Sequence, residues 1–472
     1  MEWLATAANR GSVVTGPYEI DNSLKFEDAN DEYLTRTNAS GTNRRTFTVS
    51  LWCKRTKLGG TQELWDGGVH SEAVRIGFGL SSDELWLDIG YSDQYRSKTT
   101  QQFRDPSAWY HIVWKVDTTQ STEADRFRVY VNGAEITDWA QRQYPPQNFD
   151  SAVHAGTLAR IGSYNSTYHG FCGYMADFNY LDGLAVGPDS FGEYDEDSAI
   201  WIPKKYTGSY PGQSAYLDFG DSSDLGANSK GDDVNFTTVN LAAINQATDT
   251  PTNNFCIINP LFDNNFAIWS LTEGGTRGPN TGEGNGSVGT FAVDSGKWYW
   301  EGVTTAFSGT NYWKWGITRV DVAQGNSADP STDANSAWYT GDNAYYTQTS
   351  TTASDVSYNT GFTGYTAGDI WSISLNCDVS PYTMTFRINN AVPGTANNNT
   401  DRSVGTYASA DAVLPFFFLM NSSSDDTWHN FGNPFLAALS GGNSDANGYG
   451  DFKYAPPSGY YALCSKNLAE FG

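Results

Sequence analysis

Short segments in which apolar and polar residues alternate are the feature that most constrains this chain. In Thr46–Cys53, the residues Phe47, Val49, Leu51 and Cys53 fall on one side of an extended backbone. Successive side chains of a β-strand point to opposite faces, so this pattern predicts a strand with one buried face. No stretch sustains the 3.6-residue apolar period of a long helix. The chain is therefore predicted to be all-β.

Comparable segments recur through the first half of the chain, separated by turn residues. They span residues 23–26, 75–80, 84–89, 109–116, 126–131, 134–136, 159–162 and 173–180. Asn132-Gly133 lies between two of them, and both residue types tolerate the positive φ of a tight hairpin. Regularly spaced strands with such turns indicate a β-sandwich or jelly roll.

The order of these segments resembles that of a known family. The strand WYHIVWKV (109–116) is followed by RVYVNG (128–133), RIG (160–162) and GYMADFNYLDG (173–183). This succession resembles the concanavalin A-like, laminin G type jelly roll over about residues 20–220. The resemblance implies a fold and leaves the function open, because one fold hosts many functions.

A second strand-rich block resembles the SPRY domain, a bent β-sandwich. The block contains GKWYWE (296–301), WGI (315–317), GDIWSISL (368–375), MTFRINN (384–390) and LPFFFLM (414–420). The resemblance covers about residues 259–436 and departs from the family in a long insert between Gly316 and Gly368. Binding loops of this family vary, so the resemblance implies no particular ligand.

These patterns predict two β-sandwich domains with flanking segments. The residues near the start could form a frayed terminus or an anchor that docks on a partner. The turn-rich residues between the two blocks favour a linker. The predicted boundaries are an arm at 1–20, the jelly roll at 21–220, a linker at 221–258, the SPRY-like sandwich at 259–440 and an extended tail at 441–472.

The charge and the cysteines limit the partners and the cellular compartment. The 28 Lys and Arg against 53 Asp and Glu give a formal net charge of −25, which argues against direct nucleic-acid binding. No run approaches the roughly 20 apolar residues of a membrane span, and no secretory signal is recognisable at the start. We expect synthesis in a reducing cytoplasm, with five buried free thiols: Cys53, Cys172, Cys256, Cys377 and Cys464.

Carboxylates on one strand are the first candidates for chemistry, because jelly rolls also house glycoside hydrolases that need two of them. The nearest pattern is Glu84, Trp86 and Asp88, which share one face of a predicted strand. Two interpretations are open. The three residues could contact or cleave a sugar, or they could form an exposed strand face over a core lined by Leu85 and Leu87.

Aromatic side chains are the second set of candidates, since rings exposed on loops stack on sugars or insert into protein pockets. Packing within the core or a loop is the alternative for each of them. The candidates are Trp65, Tyr91 and Tyr95 in the first domain and Trp338, Tyr339, Tyr345 and Tyr346 in the long insert.

Histidines and acidic residues give no catalytic or metal motif. No G-x-S-x-G sequence accompanies the five histidines, and His111 lies between strand residues, which indicates a structural role. No zinc pattern occurs, and we expect no cofactor. One acidic run offers oxygen ligands for a structural calcium ion, with a solvated loop as the alternative: Asp189, Glu193, Asp195, Glu196 and Asp197.

Three segments resemble a group of bacteriophage tail-fibre and head-decoration proteins: residues 18–26, 250–255 and 454–464. The resemblance implies a non-enzymatic protein of the virion surface, made in the host cytoplasm. It would bind a host surface glycan or other virion proteins, and virion proteins of this kind often form trimers. A polysaccharide depolymerase and a purely structural capsid cement protein are the alternatives.

Overall fold

The computed structural model describes most of the chain, in two compact units that divide between Thr252 and Asn253. The described residues are 18–39, 43–68, 74–80, 82–90, 94–153, 155–164, 169–231, 234–262, 271–279, 285–306, 313–320, 336–340, 344–348, 356–359, 365–392, 402–403, 411–419 and 426–472.

The first unit is a β-sandwich of two large antiparallel sheets. Its strands are β1 (Ser23–Phe26), β2 (Tyr33–Thr37), β3 (Thr46–Arg55), β4 (Gln62–Asp66), β5 (Val74–Phe78), β6 (Glu84–Ile89), β7 (Tyr95–Gln102), β8 (Trp109–Asp117), β9 (Phe127–Val131), β10 (Ala134–Glu135), β11 (Trp139–Gln141), β12 (Leu158–Ile161), β13 (Gly173–Asp182), β14 (Gly192–Tyr194), β15 (Trp201–Pro203), β16 (Ala215–Leu217), β17 (Thr237–Val239) and β18 (Gln246–Ala247). Sheet 1 has the order β10-β9-β8-β3-β13-β1-β18, with β16 also paired to β13. Sheet 2 has the order β11-β7-β6-β5-β4-β12-β2-β17, and β14 pairs with β15 in a separate two-stranded sheet.

The core of the first unit lies between these two sheets. Phe47, Val49, Leu51 and Cys53 of β3 all lie in it, which confirms the predicted face. The opposite face of β3 is also covered, because Lys54 has no exposed surface. A central strand of an eight-stranded sheet is therefore buried on both sides, which alternation alone does not reveal.

The segment predicted to be a linker differs from that expectation. Strand β17 pairs with β2, and β18 pairs with β1, so both large sheets include residues from 221–258. Asp249, which follows β18, forms a 2.7 Å ion pair with Lys54, and neither side chain is exposed. The turn-rich composition of residues 221–258 favoured a linker, whereas strand pairing and this buried ion pair attach the segment to the sandwich.

The second unit is also a sandwich of two sheets. Its elements are β19 (Arg277–Pro279), β20 (Asn285–Val288), β21 (Lys297–Ala306), β22 (Trp313–Arg319), β23 (Ser336–Thr340), β24 (Ala344–Gln348), β25 (Val356–Asn359), β26 (Ile370–Asn376), β27 (Thr383–Ile388), β28 (Arg402–Ser403), β29 (Val413–Leu419), β30 (Asp426–Asn430), β31 (Tyr461–Ala462) and the helix α1 (Ser465–Phe471). One sheet has the order β19-β30-β21-β26-β27-β28, and the other has the order β20-β29-β22-β23-β24-β25. Trp298, Trp300, Trp315 and Trp371 are fully buried between them.

Two segments of the second unit are more regular than the sequence suggested. The long insert supplies β23, β24 and β25, which extend one sheet beyond β22. The predicted extended tail contains β31, which pairs in parallel with β21, and α1, whose Leu468 lies in the core. Short 3-10 helices occur at Asp28–Asn30, Glu123–Asp125, Pro188–Ser190, Ala243–Asn245 and Ala437–Leu439.

The predicted all-β class with two β-sandwich domains is confirmed by these sheets. The expectation of five buried free thiols is also confirmed, since all five cysteines are buried and free. Within the described part of the chain, no helix is both long and apolar enough to cross a membrane.

Candidate functional site

Glu84, Trp86 and Asp88 share one face of β6, as predicted, because the intervening Leu85 and Leu87 lie in the core. That outer face is not exposed, however. Glu84 is 3 % exposed, Trp86 is 1 % exposed and Asp88 is fully buried. The three side chains therefore offer no open surface to a sugar.

A network of charges covers Trp86 and Asp88 on the outer face of sheet 2. We call this network the charged face, and its members are Glu63, Asp66, Arg75, Trp86, Asp88, Arg96 and Arg160. Arg96 reaches both oxygens of Asp88 at 2.7 Å, and Arg75 reaches one of them at 2.8 Å. Both guanidiniums lie over the ring of Trp86, at 5.6 Å and 5.8 Å from its centroid. Asp88 is thus occupied as an acceptor by two cations.

A β-bulge brings two further carboxyl groups to the charged face. The pairing of β4 with β5 shifts at Leu64, so Leu64 and Trp65 both face the core while Glu63 and Asp66 face outward. Burial raises the pKa of Glu63 well above its usual range and that of Asp66 to about 7. Among the described residues, neither carboxyl oxygen of Glu63 has a hydrogen-bond partner, and Arg75 lies 3.5 Å away.

Three of the aromatic candidates follow the packing alternative and not the exposed one. Trp65, Trp338 and Tyr339 lie on strands and are at most 3 % exposed. Tyr95 begins β7 and is half-buried against Phe149 at a ring separation of 5.4 Å. Three other candidates lie outside what the structure describes, either entirely or in their side chains: Tyr91, Tyr345 and Tyr346.

His111 is enclosed by aromatic rings in the first unit. Its ring stacks on Trp52, and the Trp201 Nε1 donates to His111 Nδ1 at 2.9 Å. Indole nitrogen is only a donor, so the proton of neutral His111 is on Nε2, which faces Ser50 Oγ at 2.9 Å. His111 therefore donates to Ser50 and cannot remove its proton, and the structural role that the sequence indicated is supported.

A group of half-buried tyrosine side chains lies with two buried polar residues on the outer face of sheet 1. We call it the tyrosine cluster, and its members are Tyr18, Asp177, Asn179, Tyr206, Tyr210 and Tyr216. The four tyrosines are half-buried, whereas Asp177 and Asn179 beneath them are at most 3 % exposed. The rings of Tyr206 and Tyr210 lie 5.1 Å apart, and those of Tyr210 and Tyr216 lie 6.0 Å apart.

A second β-bulge positions the polar residues of this cluster. The pairing of β13 with β3 shifts between Ala176 and Asn179, and Asp177 adopts a left-handed φ of 47°. Because Phe178 lies in the core, the side chains of Asp177 and Asn179 both face outward. A left-handed conformation is uncommon for a residue other than glycine, and such strain is often found at functional sites.

Hydrogen bonds connect these side chains across long sequence distances. Tyr18 Oη donates to Asp177 at 3.0 Å and lies 2.9 Å from Tyr216 Oη. Tyr210 Oη donates to Asn179 at 2.5 Å. Burial raises the pKa of Asp177 to about 6, an effect that Asp218 adds to and that hydrogen bonds from Tyr18 and Tyr216 oppose.

Sequence reasoning missed this cluster, although parts of it were visible. Tyr206, Tyr210 and Tyr216 recur within eleven positions of a turn-rich segment. Asp177 and Asn179 alternate with core residues in the segment that carried the jelly-roll resemblance. Only the fold brings Tyr18 to them.

Metal ligation receives no support from the described residues, where no group of three or more His, Cys, Asp or Glu is suitably placed. In the acidic run, Asp195 accepts hydrogen bonds from Ser198, and Glu193 forms an ion pair with Lys204 at 3.1 Å.

Comparison with known proteins gives one family match. Residues 28–184 match the model of the concanavalin A-like lectin/glucanases superfamily, in agreement with the resemblance of the first domain. No curated protein matches the chain.

Several solved structures are similar in part. A Bacteroides ovatus protein described as carbohydrate-binding is 16 % identical to this chain, with a TM-score of 0.33. The similarity covers 47 % of this chain and 59 % of the Bacteroides protein, so less than two thirds of that protein's length is matched. The SPRY domain of human HERC1 is 15 % identical, with a TM-score of 0.26 over 34 % of this chain and 90 % of that domain. Domains LG4-5 of the mouse laminin alpha1 chain are 9 % identical, with a TM-score of 0.28 over 86 % of this chain and 84 % of the laminin chain. At these values we draw no conclusion about ligands from them.

Proposed function

We propose that the first unit binds a glycan through the tyrosine cluster. The observation that carries this proposal is a set of neighbouring, half-buried tyrosine rings on the outer face of sheet 1. Sugars present apolar C–H faces that pack on aromatic rings, and hydroxyl groups that bond to phenolic oxygens. The family match over residues 28–184, which contain none of the four tyrosines, supports glycan binding by the first unit in general, because its description names lectins and glucanases.

A glycan array followed by calorimetry tests this proposal. We expect Tyr210→Ala to weaken binding about tenfold, roughly 1.4 kcal/mol, because it removes a stacking surface and the hydrogen bond to Asn179. Tyr194→Ala is the matched control, since Tyr194 is 54 % exposed on β14 and is not a member of the cluster. Equal losses in the two variants, or a chain that retains no glycan, would contradict the proposal.

We further propose that the protein acts on the surface of a tailed-phage virion, as part of a tail fibre or head fibre or as a decoration protein. The three segments that resemble such proteins support this role. Other virion proteins would then be its structural partners, and a trimer is the expected assembly. Electron microscopy of labelled particles tests the role: label at the tail tip favours host attachment, label on the capsid lattice favours decoration, and unlabelled particles contradict it.

We propose binding without catalysis and without a cofactor. Asp88, the best-placed carboxylate of the predicted pair, is held at both oxygens by Arg96 and is poorly suited to act as an acid or nucleophile. A depolymerase would release reducing ends from envelope polysaccharide and would lose this activity in Glu84→Gln or Asp88→Asn. A cement protein would raise particle stability and bind no sugar.

A further inference from the structure

The four tyrosines of the tyrosine cluster contact one another in a row. The rings of Tyr206 and Tyr210 lie 5.1 Å apart, and those of Tyr210 and Tyr216 lie 6.0 Å apart. The phenol oxygen of Tyr216 in turn lies 2.9 Å from that of Tyr18. Successive rings are thus separated by roughly the length of one sugar unit, so a chain that follows the row can place one sugar on each ring.

The fold carries this row from an exposed loop onto the outer face of sheet 1. Tyr206 and Tyr210 belong to the loop between β15 and β16, in which residues 207–209 are exposed. Tyr216 lies on β16, which pairs with β13. Behind the loop, the buried Phe191 stacks on Tyr206 at a ring separation of 5.1 Å. The rings therefore rest on packed side chains, and the loop gives a ligand access to them from solvent.

The length of the row favours a ligand of several sugars. A monosaccharide covers about one ring, so it gains the stacking free energy of that ring alone. A longer chain contacts further rings within the same molecule and does not lose its translational freedom again for each contact. A row of neighbouring rings is therefore used fully only by an oligosaccharide.

The tilt of the rings favours a single chain over a flat crystalline surface. The ring planes of Tyr206 and Tyr210 meet at 80°, whereas those of Tyr210 and Tyr216 meet at 28°. A crystalline face of parallel chains stacks only on rings that share a plane. A single chain can rotate about its glycosidic bonds and follow rings of differing tilt.

We propose that the tyrosine cluster binds an internal stretch of a single, linear polysaccharide chain at least three sugars long. This inference rests on the proposed glycan-binding function and specifies its ligand class. A row on the face of a sheet encloses neither end of a chain, so terminal sugars are not required. The chain lies along Tyr206, Tyr210 and Tyr216, with one sugar ring packed on each.

Oligosaccharides that differ only in length provide the test. The probes are linear glucan, mannan, galactan and xylan oligosaccharides of one to six units, first on an array and then in calorimetry with the full chain. In the retained series, we expect affinity to rise about tenfold from the dimer to the tetramer, because the tetramer covers further rings. From the tetramer to the hexamer the affinity should change by less than about twofold, because the row is then already covered. A methyl glycoside at the reducing end should leave affinity unchanged, and microcrystalline cellulose should not retain the protein.

Two variants, at the end and in the middle of the row, separate sugar contacts from a structural role. Tyr206→Leu keeps an apolar side chain against Phe191. It should weaken tetramer binding about fivefold and leave dimer binding unchanged, because a dimer still covers Tyr210 and Tyr216. Tyr210→Leu interrupts the row and should weaken binding of both lengths. Tyr194→Ala, an exposed position on β14 outside the cluster, is the matched control and should change neither.

The possible outcomes distinguish this inference from the function on which it rests. Equal affinity at every length, or retention of branched or terminal sugars only, overturns the linear chain and leaves glycan binding standing. Retention on microcrystalline cellulose overturns the single chain. Equal losses for the dimer and the tetramer in Tyr206→Leu overturn the row as a site, because a structural role would lower all lengths alike. If no sugar of any class is retained, both proposals fail, and the length series gives this result on the unaltered chain.

Discussion

At the scale of single residues, buried ionisable side chains determine how the protein responds to pH. His111 and His429 have at most 1 % exposure, and burial lowers the pKa of each to about 3. A histidine held neutral in the folded state contributes stability that is complete above its unfolded pKa of about 6.5. That contribution is lost as the pH falls from about 6.5 towards 3, because only the unfolded chain takes up the proton.

We therefore predict that each of these histidines costs about 1.4 kcal/mol of stability per pH unit below 6.5. His111→Gln should have a lower free energy of unfolding than the wild type at pH 7, because it loses the hydrogen bond from Trp201. This difference in free energy should become smaller at pH 5 and pH 4, where the wild type loses stability. Urea unfolding at each pH measures the two free energies, and a difference that stays constant with pH would contradict a lowered pKa. His429→Gln should show the same narrowing in the second unit.

Asp66 should respond to pH in the opposite direction. Its pKa rises from 3.8 to about 7 on folding, mainly through burial, so the folded chain retains a proton that the unfolded chain has lost. This contribution is complete below about pH 3.8 and disappears as the pH rises through 7. Asp66→Asn cannot ionise and should become more stable than the wild type by about 1–3 kcal/mol at pH 8. At pH 4 the two proteins should unfold at the same urea concentration, and a gain at both pH values would contradict this explanation.

At the scale of secondary-structure elements, two bulges decide which side chains share a face. In β4 the shift at Leu64 turns Glu63 and Asp66 to the same side, although an odd spacing would separate them in a regular strand. In β13 the shift between Ala176 and Asn179 lets Met175 and Phe178, three positions apart, both face the core, so Asp177 and Asn179 face outward. Both candidate networks of the first unit thus depend on an interrupted register.

A buried ion pair helps to attach the residues after β18 to the first unit. We predict that Asp249→Ala, which leaves the Lys54 ammonium buried without that carboxylate, destabilises the first unit by about 3–5 kcal/mol. The matched control is Asp150→Ala, which breaks an ion pair to Arg45 whose side chains are 41 % and 51 % exposed. The control should cost less than about 1 kcal/mol. Thermal unfolding compares them, and equal shifts would contradict a special role for the buried pair.

At the scale of the whole molecule, each unit has a hydrophobic core of its own. We predict two unfolding transitions in calorimetry of the full chain, because each core can be lost separately. Asp249→Ala should lower only the transition of the first unit. Leu468→Ala, in the core of the second unit, should lower only the other, by about 2–4 kcal/mol. A single transition that both variants shift equally would show that the units unfold together.

Strand positions were largely predictable from the sequence. Ser23–Phe26 and Glu84–Ile89 have the predicted bounds, and Asn132 and Gly133 have the positive φ expected of the hairpin. Exposure was not predictable, since Trp65 and Trp338 carry no local sign of what covers them. Whether the outer face of a strand meets solvent depends on segments distant in the chain.

The sequence by itself determined the all-β class, the two sandwich blocks and the placement of core residues within strands. These properties follow from alternation and turn chemistry, which act over a few residues. Only the tertiary structure decided which polar residues form a site. Tyr18 contacts Asp177, 159 positions later in the chain, and Tyr216, 198 positions later. The bulge in β13 turns Asp177 outward, and no local pattern predicts it. Such contacts depend on strand order and register, and these are fixed by the packing of the whole sheet.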